Sequence, residues 1–305
     1  MQLKWIKDLL ALAQTRSFSR AAEARHITQS ALSRRIQALE AWAGVALVDR
    51  SNHPLSITEA GMVLCEQGQT ALTMLLDIRS AMQQLHGGGG STIRVVAGHS
   101  LSLTCAPRLL SRFCQDHPAF KTRVVAANVN DSVAMLYDGQ ADLMVGYYHP
   151  QVPTLLDPDN FHSLRLYSES LIPLCAPAPD GAALHPIVRG SREPVPYLAY
   201  SPGTFFGRVA SVILRQQNRQ VNLENRYEGE MAMLLMSMAA DRHGVAWLPE
   251  SLASRHLAEG RLVRAADGWD APMEVRAYCA AGNGSPALQA LWQWLEGRSG
   301  ATGAW

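Results

Sequence analysis

The chain has 305 residues, 48% of them hydrophobic and 17% charged, and its 27 basic side chains nearly balance 26 acidic ones. That length exceeds a single small domain and suits two or three folding units with buried cores. Five cysteines at irregular spacing with no C-x-x-C pair argue against a disulfide framework or a structural zinc. No run approaches the ~20 apolar residues of a membrane helix.

The charge is unevenly placed. Residues 1–58 hold eight basic and four acidic side chains, and the rest holds 19 basic and 22 acidic. A basic head on a slightly acidic body suits a head that meets phosphate and a body that does not. The excess is modest, so one head binds weakly and pairing of heads is expected. Lys4, Lys7 and Asp8 interrupt any apolar start, so no export signal is expected and the protein is placed in the cytoplasm.

In chain order, Ile6, Leu9, Leu10 and Ala13 make one face of a first helix. Ala21, Ala22 and Ala24 are small enough to let a second helix approach closely. After a break at His26-Ile27, Thr28 stands at an N-cap position, and Leu32, Ile36 and Leu39 form the buried stripe of a third helix. Its opposite face presents Gln29, Ser30, Ser33, Arg34 and Arg35 near the N-terminus. Such side chains can hydrogen-bond base edges and phosphates in a major groove. This is a helix-turn-helix. Two short apolar runs flank the polar turn 49–54, which reads as a two-stranded wing whose Arg50 and His53 reach the adjacent minor groove.

The stretch 3–61 resembles the DNA-binding domain of LysR-type transcriptional regulators. The matching residues include Phe18, Ala21-Ala22, Gln29-Ser30-Ala31-Leu32-Ser33, Ile36, Leu39-Glu40, Gly44, Leu47, Arg50, Leu55 and Thr58-Glu59-Ala60-Gly61. Val48 departs from the family's usual aromatic, and His26 is more polar than usual before the turn. The resemblance implies double-stranded DNA and RNA polymerase as partners. It also implies a homodimer, with two dimers joining into a homotetramer through the C-terminal domains.

Thr58 caps a long helix over 59–86. Leu64, Ala71, Ile78 and Leu85 recur every seven residues, with Leu75 and Met82 between them, which predicts a coiled-coil seam broken at Gly68. Four glycines and a serine at 87–91 read as a hinge. From residue 92 the pattern alternates strand and helix, the signature of a parallel α/β sheet. Strands are expected at 92–98, 123–127, 141–147, 171–176, 197–200, 221–227, 244–248 and 273–280. Helices are expected at 103–116, 131–138, 205–217, 230–242 and 286–296, with a frayed tail after Arg298.

Two such halves resemble the periplasmic-binding-protein-like effector domain of the LysR family. The expected architecture is therefore α/β: a winged helix-turn-helix (1–61), a linker helix and hinge (58–91), and a two-lobed effector-binding domain (92–298).

Within it, His99, Ser100 and Ser102 open one helix at the end of a strand, and Ser201-Pro202-Gly203-Thr204 repeats the situation in the second half. Helix N-termini with hydroxyl neighbours suit an anion, and the same residues also serve as plain caps. The runs 98–110 and 244–252 look most like a subgroup that includes hypochlorite-responsive regulators, which implies an oxidant signal and a stress response. Met231, Met233, Met236 and Met238 then form an oxidisable patch or, more simply, core filling. Cys105 near a helix start is either a thiol of lowered pKa or a buried inert one.

No G-x-S-x-G elbow, H-E-x-x-H motif or complete dinucleotide fingerprint is present, so no enzyme, cofactor or metal is expected. A solute-binding protein is what the C-terminal half alone would suggest, and the basic helix-turn-helix ahead of it argues otherwise. The expected function is a DNA-binding transcriptional regulator controlled by a small-molecule effector or an oxidant.

Overall fold

Helix α1 (Leu3–Thr15) buries Ile6, Leu9 and Leu12, of which Leu9 and Leu12 share a core with Leu32, Ile36 and Leu39 of α3 (Gln29–Ala43) and with Ala21 and Ala22 of α2 (Phe18–Ala24). Leu10 and Ala13, expected on the inner face of α1, are only half-buried. The computed structural model describes residues 2–25, 27–50, 55–85, 92–154, 156–216 and 221–298, and it falls into two units that divide at residue 87. His26, the wing tip 51–54 with His53, the hinge 87–91, the side chain of Leu85 and the tail after Arg298 lie outside the described residues.

Three helix starts in this unit follow from a hydroxyl, while α1 begins at Gln2 without a side-chain cap. Ser17 accepts the Arg20 N–H at 3.5 Å, Thr28 accepts the Ala31 N–H at 3.2 Å, and Thr58 accepts the Gly61 N–H at 3.0 Å. One inward group is not apolar. Asp8 on α1 is 0% exposed, and it accepts from Arg25 Nε at 3.0 Å and Arg35 NH1 at 3.2 Å. That pairing ties α1, the end of α2 and the middle of α3 together.

The wing is present as β1 (Val48–Asp49) and β2 (Ser56–Ile57), antiparallel with Val48 opposite Ile57. Glu40 of α3 holds its root, since Oε1 accepts the Leu47 and Val48 N–H groups at 3.0 and 3.2 Å. Helix α4 (Glu59–Leu85) starts directly behind it, so close that a Cβ on Gly61 would stand 2.2 Å from the Leu47 carbonyl oxygen. The helix runs through Gly68 without a break. A Cβ there would meet Ile6 Cγ2 at 2.7 Å, so the glycine marks the crossing of α1 over α4. The seven-residue stripe is accordingly divided. Leu64 packs into the domain core beside Gly68, while Leu75, Ile78 and Met82 are exposed.

In the second unit, β3 (Thr92–Gly98), β4 (Lys121–Ala127) and β5 (Leu143–Tyr148) form a parallel sheet with α5 (His99–Leu103), α6 (Cys105–Asp116) and α7 (Val129–Tyr137) between them. The other lobe has β7 (Val195–Tyr200) and β8 (Leu223–Gly229), also parallel, with α8 (Phe205–Gln216), α9 (Ala232–Ala240), β9 (Ala246–Pro249) and α10 (Glu250–Ala258). The expected parallel order thus holds among β3, β4 and β5 and between β7 and β8.

It fails between them. A 15-residue strand β6 (Phe161–Cys175) pairs antiparallel with β11 (Ala271–Ala280) along its first part. Along its second part it pairs with β9 and with β10 (Val263–Arg264). The expected strand at 171–176 is only the buried end of this element. Residues 161–170 mix exposed His162, Ser163, Arg165 and Ser168 with buried Phe161, Leu166 and Glu169, a polar-rich stretch without a clear period that hid them as a loop. The expected helix at 103–116 is also interrupted: α5 ends at Leu103 and α6 begins after Thr104. Helix α11 (Pro286–Glu296) closes the core on Leu288, Leu291 and Leu295.

Two outcomes are expected. Gly61→Ala should lower the thermal midpoint, because a backbone oxygen cannot move aside and overpacking costs about 1–3 kcal/mol or more. Arg35→Ala should cost about 1–3 kcal/mol in denaturant unfolding by halving the donors to a buried carboxylate. The same substitution should do nothing measurable in an Asp8→Asn background if the Asp8 pairing is its only role.

Candidate nucleic-acid interface and effector domain

The polar face of α3 is divided by what its side chains already hold. Thr28, Gln29, Ser30, Arg34 and Gln37 are exposed, and Ser33 is half-buried at their edge. Gln29 Oε1 accepts from Ser19 at 3.1 Å and Thr28 shares a hydrogen with Ser30 at 3.1 Å, which pre-sets the first turn. Arg34 has no side-chain partner among the described residues, so its guanidinium is available to a base pair or a phosphate.

Arg35 departs from the expectation, since its guanidinium turns inward to Asp8. Arg50 is also engaged, 3.3 Å from Glu40 Oε2 and with its guanidinium carbon 5.5 Å from the Phe18 ring centre. These contacts fix where the wing leaves α3. Neither Asp8 nor Glu40 was singled out as a supporting residue from sequence. The available signal was an acid beside the apolar positions of α1 and another at the end of α3.

In the effector unit, Ser100 is 5% exposed and His99 is exposed at the start of α5. That helix has only five residues, too short for a strong macrodipole. Ser102 donates to the His99 carbonyl at 2.7 Å. Thr204 donates to the Ser201 carbonyl at 2.8 Å and accepts the Gly207 N–H at 3.0 Å, so Thr204 is a local cap while Ser102 bonds back within its own turn. Met231 and Met233 are exposed, whereas Met236 and Met238 pack against the core as filling. Cys105 is buried and its thiol is pushed up to about 12 by desolvation, which favours the buried, inert thiol over one of lowered pKa.

The lobes meet through aromatic side chains. Tyr147 of β5 lies 4.9 Å from Phe206 and 6.1 Å from Phe205 at the start of α8, and Phe206 lies 5.4 Å from Tyr200 of β7. Beside them Glu169 of β6 is buried, its carboxyl pushed up by loss of solvent. None of these residues was selected from sequence, because they come from four separated segments. Among the described residues no group of His, Cys, Asp and Glu could hold a metal. No helix there is long and apolar enough to cross a membrane.

Two family models cover this architecture: the bacterial regulatory helix-turn-helix protein of the lysR family over residues 3–62 and the LysR substrate binding domain over residues 86–299. The chain is 31% identical over 299 residues to the HTH-type transcriptional regulator YjiE of Escherichia coli K12, covering 97% of this chain and 94% of the relative. Among solved structures it is similar to full-length HypT of Salmonella typhimurium, described as a hypochlorite-specific LysR-type regulator (30% identity, TM-score 0.60, 99% of both chains). It is also similar to Vibrio fischeri DarR in complex with DNA (28% identity, TM-score 0.59, 97% of this chain and 98% of that one). These relatives are transcriptional regulators and not enzymes. The chain belongs to the LysR family of transcriptional regulators, with a DNA-binding helix-turn-helix head and an effector-binding domain.

Proposed function

We propose that the exposed first turns of α3 enter the major groove, with Arg34 and Gln29 reading base edges and Thr28, Ser30 and Ser33 setting the helix on phosphate. The observation that carries this is Arg34: an exposed guanidinium without a partner among the described residues, on a helix end that is capped and held from behind. Arg35 acts from inside the head through Asp8. Arg50 and His53 serve the wing, Arg50 from a position already set by Glu40 and Phe18.

The working form is a cytoplasmic homo-oligomer acting on RNA polymerase from adjacent sites. Exposed Leu75, Ile78 and Met82 on α4 support pairing through that helix, since an apolar stripe on a lone helix is costly in water. The effector unit carries two unlike faces that support a further pairing into a tetramer. One has exposed Leu103 of α5 and Val124 of β4. The other has Met231, Met233 and Leu234 with Glu228 and Glu230.

The signal, a small molecule or an oxidant, acts on the lobes near His99, Ser100, Ser102, Thr204 and Met231. The hypochlorite specificity of the similar HypT favours an oxidant and a role in stress response. Under that reading exposed thioethers, not the buried Cys105 thiol, are the reactive groups. Either signal works only by favouring one arrangement of the unit over another.

Arg34→Ala should weaken binding to sites recovered by genome-wide mapping by about 1–3 kcal/mol and relax preference at one base pair. Unchanged gel-shift titrations would remove α3 as the reading element. Ile78→Asp should place an ion in the paired seam and lower the assembly state in light scattering, and an unchanged mass would exclude that seam.

A further inference from the structure

Glu169 sits on β6 where the strand passes from one lobe to the other, and it is 7% exposed. Its Oε1 accepts the Ser170 N–H at 2.9 Å and, at 3.4 Å, the Ser251 N–H in the first turn of α10. Its Oε2 is buried without a hydrogen-bond partner among the described residues, and the Ser251 hydroxyl beside it is likewise buried and unpartnered. No basic side chain pairs with it there, and the neighbouring charge acting on it is another acid, Glu250.

Two tyrosines share this situation. Tyr147 of β5 is 8% exposed and Tyr200 of β7 is 4% exposed, and neither hydroxyl has a partner among the described residues. Tyr147 of β5 and Tyr167 of β6 both lie opposite Val275 of β11, and Glu169 follows two residues on along the same face of β6, so the acid and the phenols share one side of the sheet. Phe206 stands between the two tyrosine rings, and Phe205 is stacked at 20° to Tyr147. Tyr167 and buried Cys105, both in the same apolar cluster, bound the region on the β6 side.

An acid and two phenols in one desolvated place define what can enter. An anion meets the carboxylate's charge. A neutral ligand leaves that charge unanswered, and burying it so is costly. A hard metal ion needs several oxygen anions, and one carboxylate with two phenols does not provide them. An ammonium group meets each requirement. It neutralises Glu169, its N–H groups can donate to Oε2 and to phenolic oxygens, and aromatic faces stabilise a cation.

We propose that Glu169, Tyr147 and Tyr200, walled by Phe205 and Phe206, bind a small protonated primary amine. This rests on the reading of the C-terminal unit as the effector-binding domain and names a chemical class for its ligand. Because β5, β6 and β7 each contribute one of the three residues, binding favours the arrangement of lobes that brings them together.

The test uses the full-length chain in thermal unfolding at constant ionic strength, with propylammonium, 1,4-diaminobutane, tetramethylammonium and sodium propionate as probes. The two primary amines should give a saturable rise in midpoint, and tetramethylammonium and propionate should give none. Glu169→Gln should weaken the amine response about tenfold or more, as loss of a charged hydrogen bond does. Tyr200→Phe should weaken it several-fold and serves in its place if Glu169→Gln does not fold. No saturable response to either amine, an equal response to tetramethylammonium, or wild-type affinity in the variants overturns the proposal. Binding to DNA is measured on the same preparations. A missing amine response with normal DNA binding removes this ligand alone, whereas lost DNA binding in the wild-type chain strikes the regulator reading itself.

Discussion

A carboxylate taken out of water has to be met by donors within the protein, and that constraint shapes both units. Asp8 meets two guanidinium groups, Glu40 meets two wing amides, and Asp142 meets Arg94 through its side chain and its backbone N–H. In the head, those pairings decide which arginines remain available. Arg25 and Arg35 are drawn inward and Arg50 sideways, so the positive charge left on the exposed end of α3 is Arg34. A basic segment read from composition is therefore a much sparser DNA-facing surface once the internal acids have taken their partners.

The effector unit follows the same rule with a different outcome. Arg94 and Asp142 close a complete network at the edge of one lobe, with Arg94 NH1 also donating to the Gly139 carbonyl at 2.7 Å. Glu169 is satisfied on one oxygen only, and it stands on the strand that joins the lobes. A rigid unit with no ligand to bind would gain by completing that acid or replacing it with an apolar residue. Leaving it half-met at an aromatic junction is the kind of local cost that accompanies binding sites.

Much of the head was legible in the sequence because its determinants are local. Ser17, Thr28 and Thr58 cap helices within three residues of themselves, and Leu32, Ile36 and Leu39 repeat at helical spacing on one element. The wing was readable for the same reason. In the effector unit, α11 and β3 occur where their apolar periodicity placed them. The first ten residues of β6 and the whole of α10 were not seen, since one is a polar-rich stretch without a clear period and the other buries only Ala253 fully.

The sequence by itself determined the order of domains, the capped helix starts and buried stripe of the head, and the family, all of which depend on residues near one another along the chain. Tertiary structure alone decided that Gly68 is a helix crossing, that the lobes are joined by the antiparallel pairing of β6 with β11, and that Arg35 faces Asp8 across 27 positions. It also decided that Glu169, Tyr147 and Tyr200 share one interior. The physical reason is common to these cases. Burial and pairing depend on distance in space, and residues brought together by strand pairing and helix packing leave no periodic signal in the chain that carries them.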